Sequence, residues 1–159
     1  MNIWKKSVNK FGFFLAGLFS ALVSLIILLF FKNISPGNLI FLSTLTEETN
    51  KFISLKFLQD NLSIKSENPK NTFINLAFFT LGFVFLEYLL ANLSFTNFSL
   101  FLPQTLFLLT IHFLSTFFLW QGLKKQRLRG FSGQTALFFL LAFFVHLCYN
   151  LVAYQINKF

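Results

Sequence analysis

Charge is scarce in this chain. Only 11% of its 159 residues are Asp, Glu, Lys or Arg, where a soluble domain carries about 25%. Acid is scarcer still, with five acidic residues against thirteen basic ones. Such a sequence cannot cover an ordinary water-facing surface. Cysteine is nearly absent. The single Cys148 excludes an internal disulfide, and its place inside an apolar block marks it as a small buried filler. The only Asp, Asp60, falls at a helix end, so no Ser-His-Asp set can be assembled. No small-x-small cleavage site follows the apolar N-terminal run, which is also too long for a signal peptide. It is expected to be an uncleaved first span.

What is present is apolar and aromatic. Hydrophobic residues make up 55% of the chain, aromatic residues 20%, and mean hydropathy is +0.68. The excess is collected into blocks at 11–31, 73–92, 102–123 and 135–154. Each is about 20 residues long, the length that crosses a hydrocarbon core. The expectation is one all-α membrane domain over 1–159. The net charge of +8 is carried between the blocks. It reads as basic loops facing a cytoplasm, with the lipid bilayer rather than nucleic acid as the partner.

A fifth segment, 38–58, follows the break at Pro36-Gly37 and contains 44-TLTEETNKF-52. Loop charge bears on whether it crosses. Lys5, Lys6 and Lys10 place the N-terminus in the cytoplasm, and 124-KKQRLR-129 belongs there too. The uncharged 93-LSFTNFSLF-101 belongs outside. Four spans put these loops on the wrong sides. Five spans put each on its preferred side and the C-terminus outside. The expectation is therefore a bundle of about five transmembrane helices in a cell membrane, the bacterial inner membrane. Each charge in 38–58 costs about 2.5–3.5 kcal/mol at a helix centre, so that helix must turn its charges inward.

Three of the five acids, Glu47, Glu48 and Glu87, then lie within spans, as do both histidines, His112 and His146. Intramembrane ionisable groups are functional candidates by default. At 1.5 Å per residue, Glu47 and His112 lie about 14 Å from the outer ends of their helices, His146 about 12 Å and Glu87 about 8 Å. They can meet in one pocket. Glu47 and Lys51 are four residues apart and can pair on one face. Phe83 with Glu87, and His146 with Asn150, share faces in the same way. Cys148 points about 200° away from His146. Glu47 and Glu48 differ by about 100°, so only one faces the pocket squarely; Glu47 is the preferred base. Three chemistries suit these groups. A carboxylate can activate water for peptide hydrolysis, with a His and an Asn holding the oxyanion. Glu47, Glu87, His112 and His146 can hold zinc. The same groups can pass protons or ions.

The motifs also occur in a telling order. EETNK (47–51) fits EExxK, FVFLE (83–87) fits FxxxE, IHFLSTFFLWQG (111–122) carries a mid-helix His, and HLCYN (146–150) fits HxxxN. Over 38–154 this order resembles the PrsW-type glutamic intramembrane proteases. They are related to the CAAX-processing and bacteriocin-protection (CPBP) proteases, whose EExxxR motif is not matched because Phe52 stands in the fifth place after Glu47. The resemblance implies a membrane endopeptidase that needs no cofactor, with zinc as the alternative. Its substrates would be membrane proteins or membrane-tethered peptides. Glu47 and Glu48 would form the essential pair, Glu87, His112 and His146 would complete the site, and Asn150, Lys51 and Phe83 would support it. A non-enzymatic membrane scaffold on the same fold is the competing expectation.

Overall fold

The computed structural model describes residues 3–31, 33–61, 68–92, 101–129 and 132–156. These form five helices and, among the described residues, no strand. They are α1 (Ile3–Leu29), α2 (Pro36–Asn61), α3 (Pro69–Asn92), α4 (Phe101–Arg129) and α5 (Gly133–Ile156). The starts are written locally. Pro36 and Pro69 occupy first helical positions, where a missing N–H costs nothing. Asn68 Oδ1 accepts from the Lys70 N–H at 3.1 Å, and the Ser132 carbonyl accepts from Thr135 N at 2.9 Å, opening α3 and α5.

Four helices are long and apolar enough to cross a membrane. Their spans run Lys10–Leu29, Pro69–Leu89, Thr105–Gln126 and Gly133–Ile156, with mean hydropathies of 2.5, 1.6, 1.6 and 2.1. The helix α2 is not among them, although its 26 residues reach about 39 Å. Four of the polar residues that lower its hydropathy, Thr44, Glu48, Lys51 and Gln59, are buried in the bundle, whereas Lys56 and Asp60 near its C-terminal end are exposed. Its exposed apolar residues are Phe41, Ile53 and Phe57.

Going round the bundle the helices follow the order α1, α3, α4, α5, α2, and α2 also reaches across to α4. The α1–α3 crossing is the closest. A Cβ on Gly17 would run into the Phe79 carbonyl, and a Cβ on Gly82 would run into the Phe14 carbonyl. Two glycines, one per helix, let the backbones touch where lipid tails supply no hydrophobic drive for association. Along the bundle axis the interior has two layers. Phe13, Leu55, Leu58, Leu76, Phe79, Leu119, Trp120, Leu123 and Ala142 form an apolar plug drawn from all five helices. Towards the other end of α2 to α5 lie Glu48, Lys51, His112, Ser115 and His146, also buried.

Cys148 departs from expectation. It is exposed rather than buried. His146 turns into the bundle, and two residues further on a helix faces out. The outer face of α5 is apolar there, with Phe144, Leu151 and Val152 exposed.

Candidate functional site

Glu48 is the anchor of the polar layer. It is 0% exposed, as is Lys51. Glu48 Oε1 accepts from Lys51 Nζ at 2.6 Å and from His146 Nδ1 at 2.7 Å. Lys51 Nζ also lies 2.8 Å from His112 Nδ1 and donates to Ser115 Oγ at 3.2 Å. One ammonium thus joins α2 to α4, and one carboxylate oxygen joins α2 to α5. Further hydrogen bonds of this kind offset part of the cost of burying a charge pair; the second carboxylate oxygen, Glu48 Oε2, stays unmatched.

The partner of Lys51 differs from the one spacing suggested. Positions i+3 and i+4 are both neighbours on a helix, so Lys51 can reach Glu48 or Glu47. His112 on α4 and His146 on α5 decide it, because both approach the Glu48 side of α2. Glu47 is left at the edge of the cluster, 13% exposed, with Oε2 at 3.5 Å from His146 Nε2. Glu87, 29% exposed, brings Oε2 to 3.0 Å from His112 Nε2. The two imidazole rings lie edge to face, 4.5 Å between centroids.

Phe83 lines this cluster. Its ring centroid is 4.5 Å from Lys51 Nζ and 5.0 Å from the His112 ring. Its aromatic face adds attraction for the ammonium in a place water does not reach. Asn150 lies one helical turn beyond His146. It donates to Thr44 Oγ1 at 2.9 Å and so latches α5 to α2 beside the cluster.

The structure therefore brings Glu47, Glu48, Glu87, His112, His146 and Lys51 together, with Phe83 against them and Asn150 adjacent. Ser115, Thr44, Ser24 and Asn50 were not among the residues singled out from sequence. Ser115 is three residues from His112 and Thr44 four from Glu48, so helical spacing alone marked both. Asn50 donates to Ser24 Oγ at 2.9 Å and ties α2 to α1; no short motif announces that contact.

Four side-chain atoms of the cluster remain unmatched. Glu47 Oε2, Glu48 Oε2, Glu87 Oε2 and His112 Nε2 are buried without a hydrogen-bond partner among the described residues. Glu47 Oε2 and Glu87 Oε2 each lie close to an imidazole Nε2, but the directions are wrong for hydrogen bonds. One ligand atom from each of Glu47, His112 and His146 lies within 4.8 Å of the other two. A cavity of about 70 Å³ between α1, α2 and α3 is lined by Ser24, Leu25, Leu28, Glu47, Phe83 and Glu87, among others, and so borders the cluster at its two outer glutamates.

No family model, curated protein or solved structure matches the chain. The site therefore has to be read from its own geometry.

Proposed function

We propose that the chain is an intramembrane endopeptidase of the PrsW kind. It would hydrolyse membrane proteins or membrane-tethered peptides with a water activated by Glu47. One observation carries the reading: a carboxylate and two imidazoles surround a single water-sized point. Three atoms no more than 4.8 Å apart leave a position within about 2.8 Å of each, a hydrogen-bond distance.

The protonation pattern suits hydrolysis. Glu48 is engaged by Lys51 and His146 and serves as a fixed charge. Glu48 Oε2 and Glu47 Oε2 are both unmatched, but the Glu48 carboxylate is held by Lys51 and His146, so Glu47 acts as the base. It takes a proton from the water while the water oxygen attacks the scissile carbonyl. With Lys51 donating to His112 Nδ1, the ring keeps its proton on Nε2. That N–H then donates to the developing oxyanion. Glu47 returns its proton to the leaving amine as the C–N bond breaks. His146, oriented through Nδ1 by Glu48, holds the water from Nε2.

In this reading α2 is the fifth span. Its buried side carries Glu48 and Lys51 and its outward side includes Phe41, Ile53 and Phe57, while the exposed charges Lys56 and Asp60 sit towards its C-terminal end. The N-terminus faces the cytoplasm and the C-terminus the outside, following the basic residues, and the bacterial inner membrane is the proposed location. No cofactor is needed for the hydrolysis. The test is cleavage of a co-expressed single-span membrane protein. Wild type should cut it, and Glu47→Gln and His146→Ala should not, with all three inserted equally. Equal cutting by all three would end the proposal, and so would no cutting by any across a broad substrate panel.

A further inference from the structure

We infer that the same centre binds one divalent transition-metal ion, with zinc the best fit, through Glu47 Oε2, His112 Nε2 and His146 Nε2. The inference does not rest on hydrolysis: an ion on Glu47 Oε2 and His112 Nε2 takes the place of the base's free oxygen and of the Nε2 proton, so the ion-bound form is a state in which the metal-free hydrolysis is blocked. Three observations carry it.

The first is the donor set. Two imidazoles and one carboxylate, with a fourth position left open, are a zinc donor set. One ligand atom from each of the three residues lies within 4.8 Å of the other two, and Nδ1 of both imidazoles is already engaged, by Lys51 and by Glu48. A tetrahedral ion with bonds of about 2.0–2.1 Å needs edges of about 3.3 Å. The Glu47 Oε2–His146 Nε2 edge is already 3.5 Å. Rotation of the Glu47 carboxylate and the His112 ring by a fraction of an ångström to about an ångström closes the rest.

The second is the unmatched atoms. His112 is buried to 1% exposure, and its Nε2 has no hydrogen-bond partner. Glu47 Oε2 is unmatched as well. Two atoms that sit close together and do not hydrogen-bond to each other are what ligands of one ion look like. Glu87 Oε2, 3.0 Å from His112 Nε2, is also unmatched.

The third is charge. The cluster holds the carboxylates of Glu47, Glu48 and Glu87 and the single ammonium of Lys51. Fully ionised, with neutral imidazoles, it carries an excess of two negative charges. Burial makes such an excess expensive unless it is paired. A dication balances it. The Glu48–His146 contact at 2.7 Å supplies the carboxylate that commonly backs a metal-bound imidazole.

The test is cobalt and zinc binding to the full chain in lipid nanodiscs, after chelator treatment and on a Cys148→Ser background that removes the only thiol. One equivalent of Zn²⁺ per chain is expected to survive desalting. Co²⁺ should give the visible bands of a four-coordinate site. Glu47→Gln, close in shape to the native residue, and His112→Ala should each weaken binding at least about 10-fold, with helical content by circular dichroism unchanged. If His112→Ala does not fold, Glu47→Gln alone decides. Absence of bound ion in the parent, or equal binding in the parent and Glu47→Gln, would overturn the inference.

Discussion

Glu48 and His146 stand 98 positions apart in sequence and are joined through Oε1 and Nδ1 at 2.7 Å, with Lys51 Nζ on the same oxygen at 2.6 Å. This triangle fixes where α5 sits against α2. It holds the Glu48 carboxylate through Oε1 and leaves Glu47 outside these contacts, which is why the proposed reaction uses Glu47 as the base.

The triangle should behave as one unit. Glu48→Gln alone strands the Lys51 ammonium, and Lys51→Met alone strands the Glu48 carboxylate. Each is expected to destabilise the fold by about 3–5 kcal/mol. The double variant Glu48→Gln/Lys51→Met should cost clearly less than the sum, because neither charge is then unpaired. Equilibrium unfolding in mild detergent measures all three. Additive losses would mean that the two groups are not coupled.

The α1–α3 crossing offers a test away from the site. Gly17→Ala and Gly82→Ala each place a methyl group against a backbone carbonyl of the other helix. Each should cost about 1–3 kcal/mol, the range for overpacking. Gly12→Ala meets open space and should be neutral or mildly stabilising through helix propensity. Melting temperatures in detergent separate the two classes.

Much of this layout was written in the sequence, and the reasons are physical. Helices α1, α3, α4 and α5 were legible because each is a near-continuous apolar run. For α2 the helix was legible and its environment was less so: its six buried residues include Glu48, Lys51 and Gln59, and hydropathy cannot tell an inward charge from an outward one. That Glu47, Glu87, His112 and His146 could meet followed from helix rise, which gives them similar depths; which way each helix faces did not. The pairing of Lys51 did not, because i+3 and i+4 neighbours are equivalent until α4 and α5 arrive. Cys148 was misread because an apolar residue in a membrane helix faces lipid as readily as protein.

The crossing of α2 has its own check. On a Cys148→Ser background, cysteines at Asn38 and Asn61 lie near opposite ends of α2. A membrane-impermeant thiol reagent should label position 38 from outside intact cells, and position 61 only after permeabilisation. Cysteines at Ile53 and Phe57, exposed on the outer face, should resist labelling in both conditions. Labelling of 38 and 61 from the same side would show that α2 does not cross.

Phe83 should matter through its ring. Its centroid is 4.5 Å from Lys51 Nζ, a contact worth about 0.5–2 kcal/mol depending on desolvation. Phe83→Leu keeps an apolar side chain and removes the aromatic face. A loss in that range is expected by thermal unfolding, and Phe83→Tyr should lose less. Equal losses would assign Phe83 to packing alone.

The central claim is that Glu47 activates a water for peptide hydrolysis within the membrane. Its most direct test is the set of new protein N-termini formed in a bacterial host that expresses the wild type or Glu47→Gln at matched levels. The account predicts N-termini in or beside membrane spans that form with the wild type. In Glu47→Gln they should fall by about 10²-fold or more, the scale of losing a general base. Identical sets of N-termini in the two strains would contradict it.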